Sequence, residues 1–248
     1  LSPVAIIAIV VGGLIVVGGG LTWMIIWLNR SNAEAEQDVL GRLRAEAPRL
    51  GWRYEERADQ YTQVYDDVER YPKLSEPIVG FAASPKALEA HDVVTGEHRG
   101  RPFLAARFWV DKPMDTRGPG GPRPEYAIWV RTPAPRPTLD VRAVPKLQSA
   151  VGSATGTGDL KIGHREFDAR YQVTAENADF ARAVLSPQLV DFLLTDPRPF
   201  DGFWMRGGQL EVVRDVVNDH RDPGPLLAAL DLRCDILDRI PPQVWASS

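Results

Sequence analysis

The chain has 248 residues, a formal net charge of −4, one cysteine, 44% hydrophobic and 25% charged residues. A mildly acidic chain has no electrostatic attraction for nucleic acid, and Cys234 alone excludes an intrachain disulfide or a cysteine-built metal site. The averages suit a soluble globule but hide a division, because residues 1–29 carry no charge and every Lys, Arg, Asp and Glu lies from Arg30 onward.

Val4 to Leu28 is an uncharged run of 25 residues, 14 of them Leu, Ile or Val. As a helix it reaches about 37 Å, enough to cross a hydrocarbon core of about 30 Å. Its branched aliphatic side chains favour insertion by roughly 4 to 8 kcal/mol before the glycines subtract their part. A cleaved signal peptide has a shorter apolar region behind a basic start, and this run has neither feature. The reading is a retained transmembrane helix over 1–29, then a helical stalk over 30–50 and an α+β soluble domain over 51–248. Trp23, Trp27 and Arg30 fit a membrane-interface girdle. Arg30, Arg42, Arg44 and Arg49 follow closely, and the positive-inside rule then places the C-terminal domain in the cytoplasm. Ala5, Ala8, Gly12 and Gly19 share one helical face, the stripe that lets a second membrane helix pack closely.

In the body, Ser31 to Leu50 reads as a capped, charged helix stopped by Pro48 and Gly51. Trp52 and Tyr54 alternate as a short strand. Tyr61, Val64, Tyr65, Val68 and Tyr71 recur at helical spacing and predict a helix lying on a sheet. Phe103 to Val110 and Tyr126 to Arg131 read as strands around the Pro- and Gly-rich loop Pro113 to Pro124. Thr138 to Val144 is a further strand, and Pro133, Pro135 and Pro137 ahead of it suit a sheet edge or a polyproline lead-in. Gly152 to Gly158 reads as a loop. Phe167 to Val173 alternates like a half-buried strand. Phe180 to Leu185 and Leu189 to Leu194 predict short helices. Phe203 to Arg206 and Leu210 to Val217 pair through the hairpin turn Gly207-Gly208. The last helix opens at Asp222 or Gly224, buries Leu226, Leu230, Cys234 and Leu237, and stops at Pro241-Pro242. Hairpins with separate helices predict an α+β fold with a largely antiparallel sheet.

The search for chemistry yields no catalytic, cofactor-binding or metal-ligating set. Gly152 to Gly158 lacks the Gly-Lys-Ser/Thr of a phosphate loop and runs into Asp159. His91, His98, His164 and His220 have no metal spacing, and there is no Gly-x-Ser-x-Gly elbow. Asp215, Asp219, His220 and Asp222 come nearest to a ligand cluster but read as a strand end leading to a helix cap. One pattern stands out: three strands each carry an apolar-Trp-apolar triplet, centred on Trp109, Trp129 and Trp204. Residues two apart on a strand share a face, so Arg107, Arg131 and Arg206 accompany them. Such a Trp/Arg face is either a partner surface or a face covered by helices, with arginine stems packed on the indoles.

Asp159 to Gly163, Phe167 to Val173, Ala183 to Pro187, Gly207 to Leu210 and Ile240 to Trp245 together resemble a set of uncharacterised single-span membrane proteins of GC-rich Gram-positive, actinobacterial-type bacteria with a C-terminal domain of unknown function. The resemblance implies an N-terminal span and this domain, and it carries over no catalytic residues. The functional expectation is a non-catalytic, single-pass accessory or scaffold subunit of a larger bacterial plasma-membrane complex (respiratory, transport or secretory). Its partners would be the lipid bilayer and integral membrane subunits, with no nucleic acid and no cofactor. The alternative is a membrane-tethered small-ligand or peptide-binding module.

Overall fold

The structure, a computed structural model, describes Trp23 and residues 37–68, 85–112, 121–144, 160–213 and 220–246. The expected span falls outside them except for Trp23, which is helical and 69% exposed. Among the described residues no helix is long and apolar enough to cross a membrane.

Eight strands form one sheet: β1 (Arg53–Arg57), β2 (Lys86–His98), β3 (Arg101–Asp111), β4 (Arg123–Arg131), β5 (Leu139–Ala143), β6 (Tyr171–Ala175), β7 (Gly202–Arg206) and β8 (Gln209–Val213). The order is β1-β2-β3-β4-β8-β7-β5-β6, and every neighbouring pair is antiparallel. The helices are α1 (37–46), α2 (Thr62–Asp67), α3 (Arg165–Arg170), α4 (Ala178–Val184), α5 (Pro187–Thr195), α6 (Pro223–Asp238) and α7 (Gln243–Ala246). The α+β expectation and its antiparallel sheet are therefore what the chain forms.

Local chemistry sets the element ends. The Arg99-Gly100 and Gly207-Gly208 turns have positive φ at both central residues, the geometry that matches the twist of two antiparallel strands. Asn177 Oδ1 accepts from the Phe180 amide at 2.9 Å and Asp222 Oδ1 from the Gly224 amide at 3.2 Å, and each caps its helix. Proline stands at the start of α5 and α6, where no amide is needed.

The two faces of the sheet have separate cores. The larger face is covered by α1 and α4 to α7, with Phe103, Ile128, Val141, Phe203, Leu210, Leu226 and Leu237 among its buried residues. The opposite face has a smaller core under α2, where Tyr65 and Val68 meet Phe108, Trp129 and Trp204. The helix expected from the Tyr61 to Val68 spacing thus lies on the sheet, while Tyr71 is outside the described residues.

Four local expectations change. The longest strand, β2, has no counterpart in the sequence reading, because register shifts at Ala87/Glu89 and His91/Val94 break its alternation twice. Residues 165–170 form a helical turn instead of the first half of a strand. His164 Nδ1 accepts from the Phe167 amide, and the Asp168 carboxylate accepts from the Ile162 and Gly163 amides, so capping overrides the alternation. Strand β5 is interior, between β7 and β6, so Pro133, Pro135 and Pro137 form a lead-in and not an edge. The described part of the expected stalk is docked on the body: Leu43 and Ala47 are fully buried in the larger core.

Gly202 is where backbone approach is tightest. Its φ is +142°, and a Cβ there would stand 2.0 Å from the Val141 carbonyl oxygen. Gly202→Ala is expected to destabilise the fold by about 3 kcal/mol or more, read as a lowered urea midpoint, whereas Gly41→Ala, inside α1 with open space around it, should raise the midpoint slightly, by about 0.5–1 kcal/mol.

Candidate functional site

The structure divides the six Trp and Arg residues between the two faces of the sheet. On β4, Trp129 shares the smaller-core side with Ala127, and Trp204 on β7 lies on that side as well. Arg131 and Arg206 follow by strand parity. On β3, however, Phe108 and Val110 take that side. Trp109 and Arg107 therefore face the other way, with Phe103 and Ala105. The six residues do not form one surface. Trp129 is fully buried and Trp204 nearly so, Arg206 is buried with its guanidinium 5.8 Å from the Trp204 ring, and Arg131 is exposed. Helix α2 and aromatic packing cover Trp129, whose ring stacks 5.5 Å from Phe108.

The register shows what the triplets did not reveal. A row one residue deep crosses five strands: Trp129, Glu211, Trp204, Asp140 and Thr174. Trp129 Nε1–H donates to Glu211 Oε2 at 2.6 Å. Asp140 accepts a two-pronged pair of hydrogen bonds from Arg142, each 2.8 Å, and a third from Arg206 at 3.0 Å. Four residues before Trp129 on β4, Glu125 Oε2 accepts from the Tyr65 hydroxyl at 2.7 Å, and Lys112 pairs with the other Glu125 oxygen. Glu211 and Asp140 are both buried. Their signal in the sequence is parity: each is an acid on a strand at the same phase as an inward-facing residue.

The row lies over the narrowest join in the sheet. Strands β4 and β8 meet in register at Val130–Leu210 and Arg131–Gln209. One step further on, Trp129 and Glu211 stand opposite each other and bond through their side chains. On the other face buried Arg233 of α6 donates from Nε to the Ile128 carbonyl at 2.7 Å and from Nη1 to the Ala229 carbonyl at 2.8 Å. Side chains thus take over where the backbone ladder stops.

Two further clusters fix α6. Asp92 sits at a bulge with φ +50°, buried, taking a hydrogen bond from the Tyr54 hydroxyl at 3.1 Å and an ion pair with Arg107 at 2.8 Å. His220, fully buried, is 2.7 Å from the Asp92 carbonyl. A carbonyl only accepts, so Nε2 carries the proton. Burial, together with the Asp92 charge, raises the Tyr54 hydroxyl above its ordinary pKa. At the other end of α6, His98, Arg99 and Arg101 of the β2–β3 turn meet Asp231, Asp235 and Asp238. Asp235 is shared with Arg198, which also grips Asp196. Burial would raise the Asp235 carboxyl, but Arg99 and Arg198 outweigh it and hold it below its usual value. Arg198 does the same for Asp196. Burial pushes the Cys234 thiol up to about 11, which keeps it a core thiol and not a nucleophile.

No group of three or more His, Cys, Asp or Glu side chains suited to a metal occurs among the described residues. Ala5, Ala8, Gly12, Gly19, Trp27 and Arg30 lie outside them, as do Gly152 to Gly158, Asp215 and Asp219. The chemistry on view is that of a brace: carboxylates holding N–H donors across strand and helix boundaries.

No protein-family model matches the chain, and no curated protein does. One solved structure is similar, the crystal structure of the mycobacterial trehalose monomycolate transport factor A, TtfA. Its TM-score is 0.46 at 17% sequence identity, covering 82% of this chain and 97% of that one.

Two outcomes follow from the braces. Trp129→Phe removes the donor to Glu211 and part of a buried indole, and is expected to cost about 2 to 3 kcal/mol in denaturant titration. Asp235 has a folded pKa below its unfolded one, so its contribution is present above the ordinary carboxylate range and lost as pH falls through the folded value. Asp235→Asn is expected to lower stability at pH 7 by about 1 kcal/mol, the Arg99 arm being discounted because water screens it. The variant's stability should also fall less steeply than wild type below about pH 4.

Proposed function

We propose that the chain is a single-pass, membrane-anchored accessory or scaffold subunit of a larger bacterial membrane complex, respiratory, transport or secretory, that performs no chemistry of its own. One observation carries the reading: the uncharged run from Val4 to Leu28 stands directly ahead of a folded body. A run of that length and composition is stable in lipid and costly to expose to water. The use of charge in the body supports it. Asp92, Asp140, Glu211 and Asp235 are engaged in joining strands and helices to one another, which suits a rigid platform.

In this reading Ala5, Ala8, Gly12 and Gly19 pack against a helix of an integral membrane subunit, and Trp23, Trp27 and Arg30 mark the interface. The body lies on the cytoplasmic side, as Arg30, Arg42, Arg44 and Arg49 favour.

Alkaline carbonate extraction of native membranes should leave the full chain in the pellet, and deletion of residues 1–29 should release it to the supernatant. Pull-down of the full chain in mild detergent should recover an integral membrane protein in stoichiometric amount, and Gly12→Ile with Gly19→Ile should reduce that recovery severalfold. Full chain in the carbonate supernatant, or a partnerless monomer that one small compound or peptide stabilises against heat, would defeat the scaffold reading.

A further inference from the structure

Among the described strands the sheet has two edges, β1 and β6. An edge strand presents amides and carbonyls that another strand can take. The chain closes the β6 side itself, where the Leu160 amide donates to the Val173 carbonyl at 2.8 Å. It also closes the part of β2 that β1 does not reach. There the Ala58 amide donates to the Ala90 carbonyl at 3.0 Å, and Asp59 and Asp66 accept from the amides of Ala90 and Ala87, each at 3.1 Å. Strand β1 is left open. It pairs with β2 at Arg53–Thr95, Tyr54–Val94, Glu55–Val93 and Arg57–His91. The direction of hydrogen bonding alternates along a strand, and the inward bond of Ala58 sets the phase. The amides of Arg53, Glu55 and Arg57 therefore point away from the sheet. Among the described residues nothing takes them up, and both flanks of the strand lie within the described residues 37–68.

Arg53, Glu55 and Arg57 share one face by alternation, so this edge carries charges of both signs at a period of two. Opposite charges directly across a strand pair stabilise it, and like charges destabilise it. That rule sorts the antiparallel alignments of β1 on a second β1 that bring outward amides together. The alignment centred on Glu55 sets Arg53 on Arg57 and Glu55 on Glu55. The one centred on Glu56 sets Glu56 on Glu56, and offers Glu55 an arginine that Asp59 and Glu89 already hold at 2.7 Å and 3.1 Å. The one centred on Tyr54 sets Arg53 of each copy opposite Glu55 of the other, and Tyr54 opposite Tyr54. Arg53 is exposed, with Glu55 of its own chain beside it at 3.1 Å. This alignment also brings Arg57 opposite exposed Gly51, where no atom stands within 4 Å of the place a Cβ would take.

We propose that β1 is the interface with a second copy of this chain: two β1 strands pair antiparallel about a two-fold axis at Tyr54, and the sheet of one molecule continues into the next. The inference goes beyond the scaffold reading and does not rest on the anchor. Each copy offers the other the same patch, so the assembly closes at two chains. The backbone ladder supplies the attachment. The two Arg53–Glu55 crossings select the alignment and discriminate against strands without the complementary pattern.

The test co-expresses two differently tagged full-length chains, solubilises them in mild detergent, captures one tag and reads the other. Wild-type chains should co-recover. Arg53→Glu in both chains, or Glu55→Arg in both, sets like charges opposite each other at both crossings and should lower co-recovery about fivefold or more. Arg53→Glu in one chain with Glu55→Arg in the other restores opposite signs at both crossings, and co-recovery should return to within about twofold of wild type. Chains that had merely lost their fold would not be rescued by mixing. Wild-type chains that do not co-recover, or a mixture that fails to rescue, overturns the interface. Co-recovery that neither charge reversal lowers means the copies meet elsewhere, which also overturns it.

Discussion

The sheet depends on one short seam. Strands β1 to β4 form one antiparallel half and β8, β7, β5 and β6 the other, and β4 and β8 pair in register at two positions. So short a ladder fixes little by itself, because each backbone hydrogen bond adds only about 0.5–1.5 kcal/mol net. The apolar cores on both faces span the two halves, and two side-chain bonds lie next to the ladder, of which Trp129–Glu211 crosses from β4 to β8. Arg233 reaches the Ile128 carbonyl on one face, and Trp129 reaches Glu211 on the other. Both lie in buried surroundings, where losing one partner leaves a desolvated charge or carbonyl behind. Helix α6 bears on the same problem from its ends. It is tied to the first half through His220 and the β2–β3 turn, and to the second half through Arg198 on Asp235.

This arrangement explains the use of arginine better than composition does. The chain has 24 Arg and 5 Lys, a bias that genome composition alone would account for. Yet several positions exploit what lysine lacks. Arg142 on Asp140 and Arg198 on Asp196 are two-pronged, and Arg233 divides its donors between carbonyls of different elements. A planar fork with several fixed donors satisfies such sites, whereas a single ammonium leaves acceptors unmet. Arg233→Lys is thus a substantial change despite conserving charge.

Much of the fold was legible where local rules and tertiary demands agree. Gly207-Gly208 specified a hairpin, Asp222-Pro223 opened α6, and Leu226, Leu230, Cys234 and Leu237 formed its buried stripe. Legibility failed where alternation is not conserved along a strand. Two bulges in β2 change which face each successive residue takes, so its sequence shows no steady period although it is the longest strand. The Trp triplets show the limit of parity. It correctly paired Trp204 with Arg206, but it cannot assign phase between strands, and Trp109 fell on the far face from Trp129. Asp140 and Glu211 went unread for the opposite reason. An acid in a strand ordinarily marks the solvent side, and here donors on adjacent strands make burial tolerable.

The docking of α1 changes what an anchor would do to this body. A stalk exposed on all sides lets a domain tumble within the reach of its linker. Here Leu43 and Ala47 are in the core, and Arg42 and Arg44 hold Asp222 and Glu56 on two different elements. Freeing the helix would expose a leucine, at about 1.5 to 3 kcal/mol, and open the core above Trp52 and Phe103, which pack edge to face at 5.1 Å. The last helical turns before the sheet therefore move with the sheet. Arg42 also sets α1 beside the start of α6, where Asp222 adjoins the His220–Asp92 contact. The same α6 contacts β4 beside the β4–β8 seam through Arg233, so α1 and the shortest join in the sheet are connected through one helix.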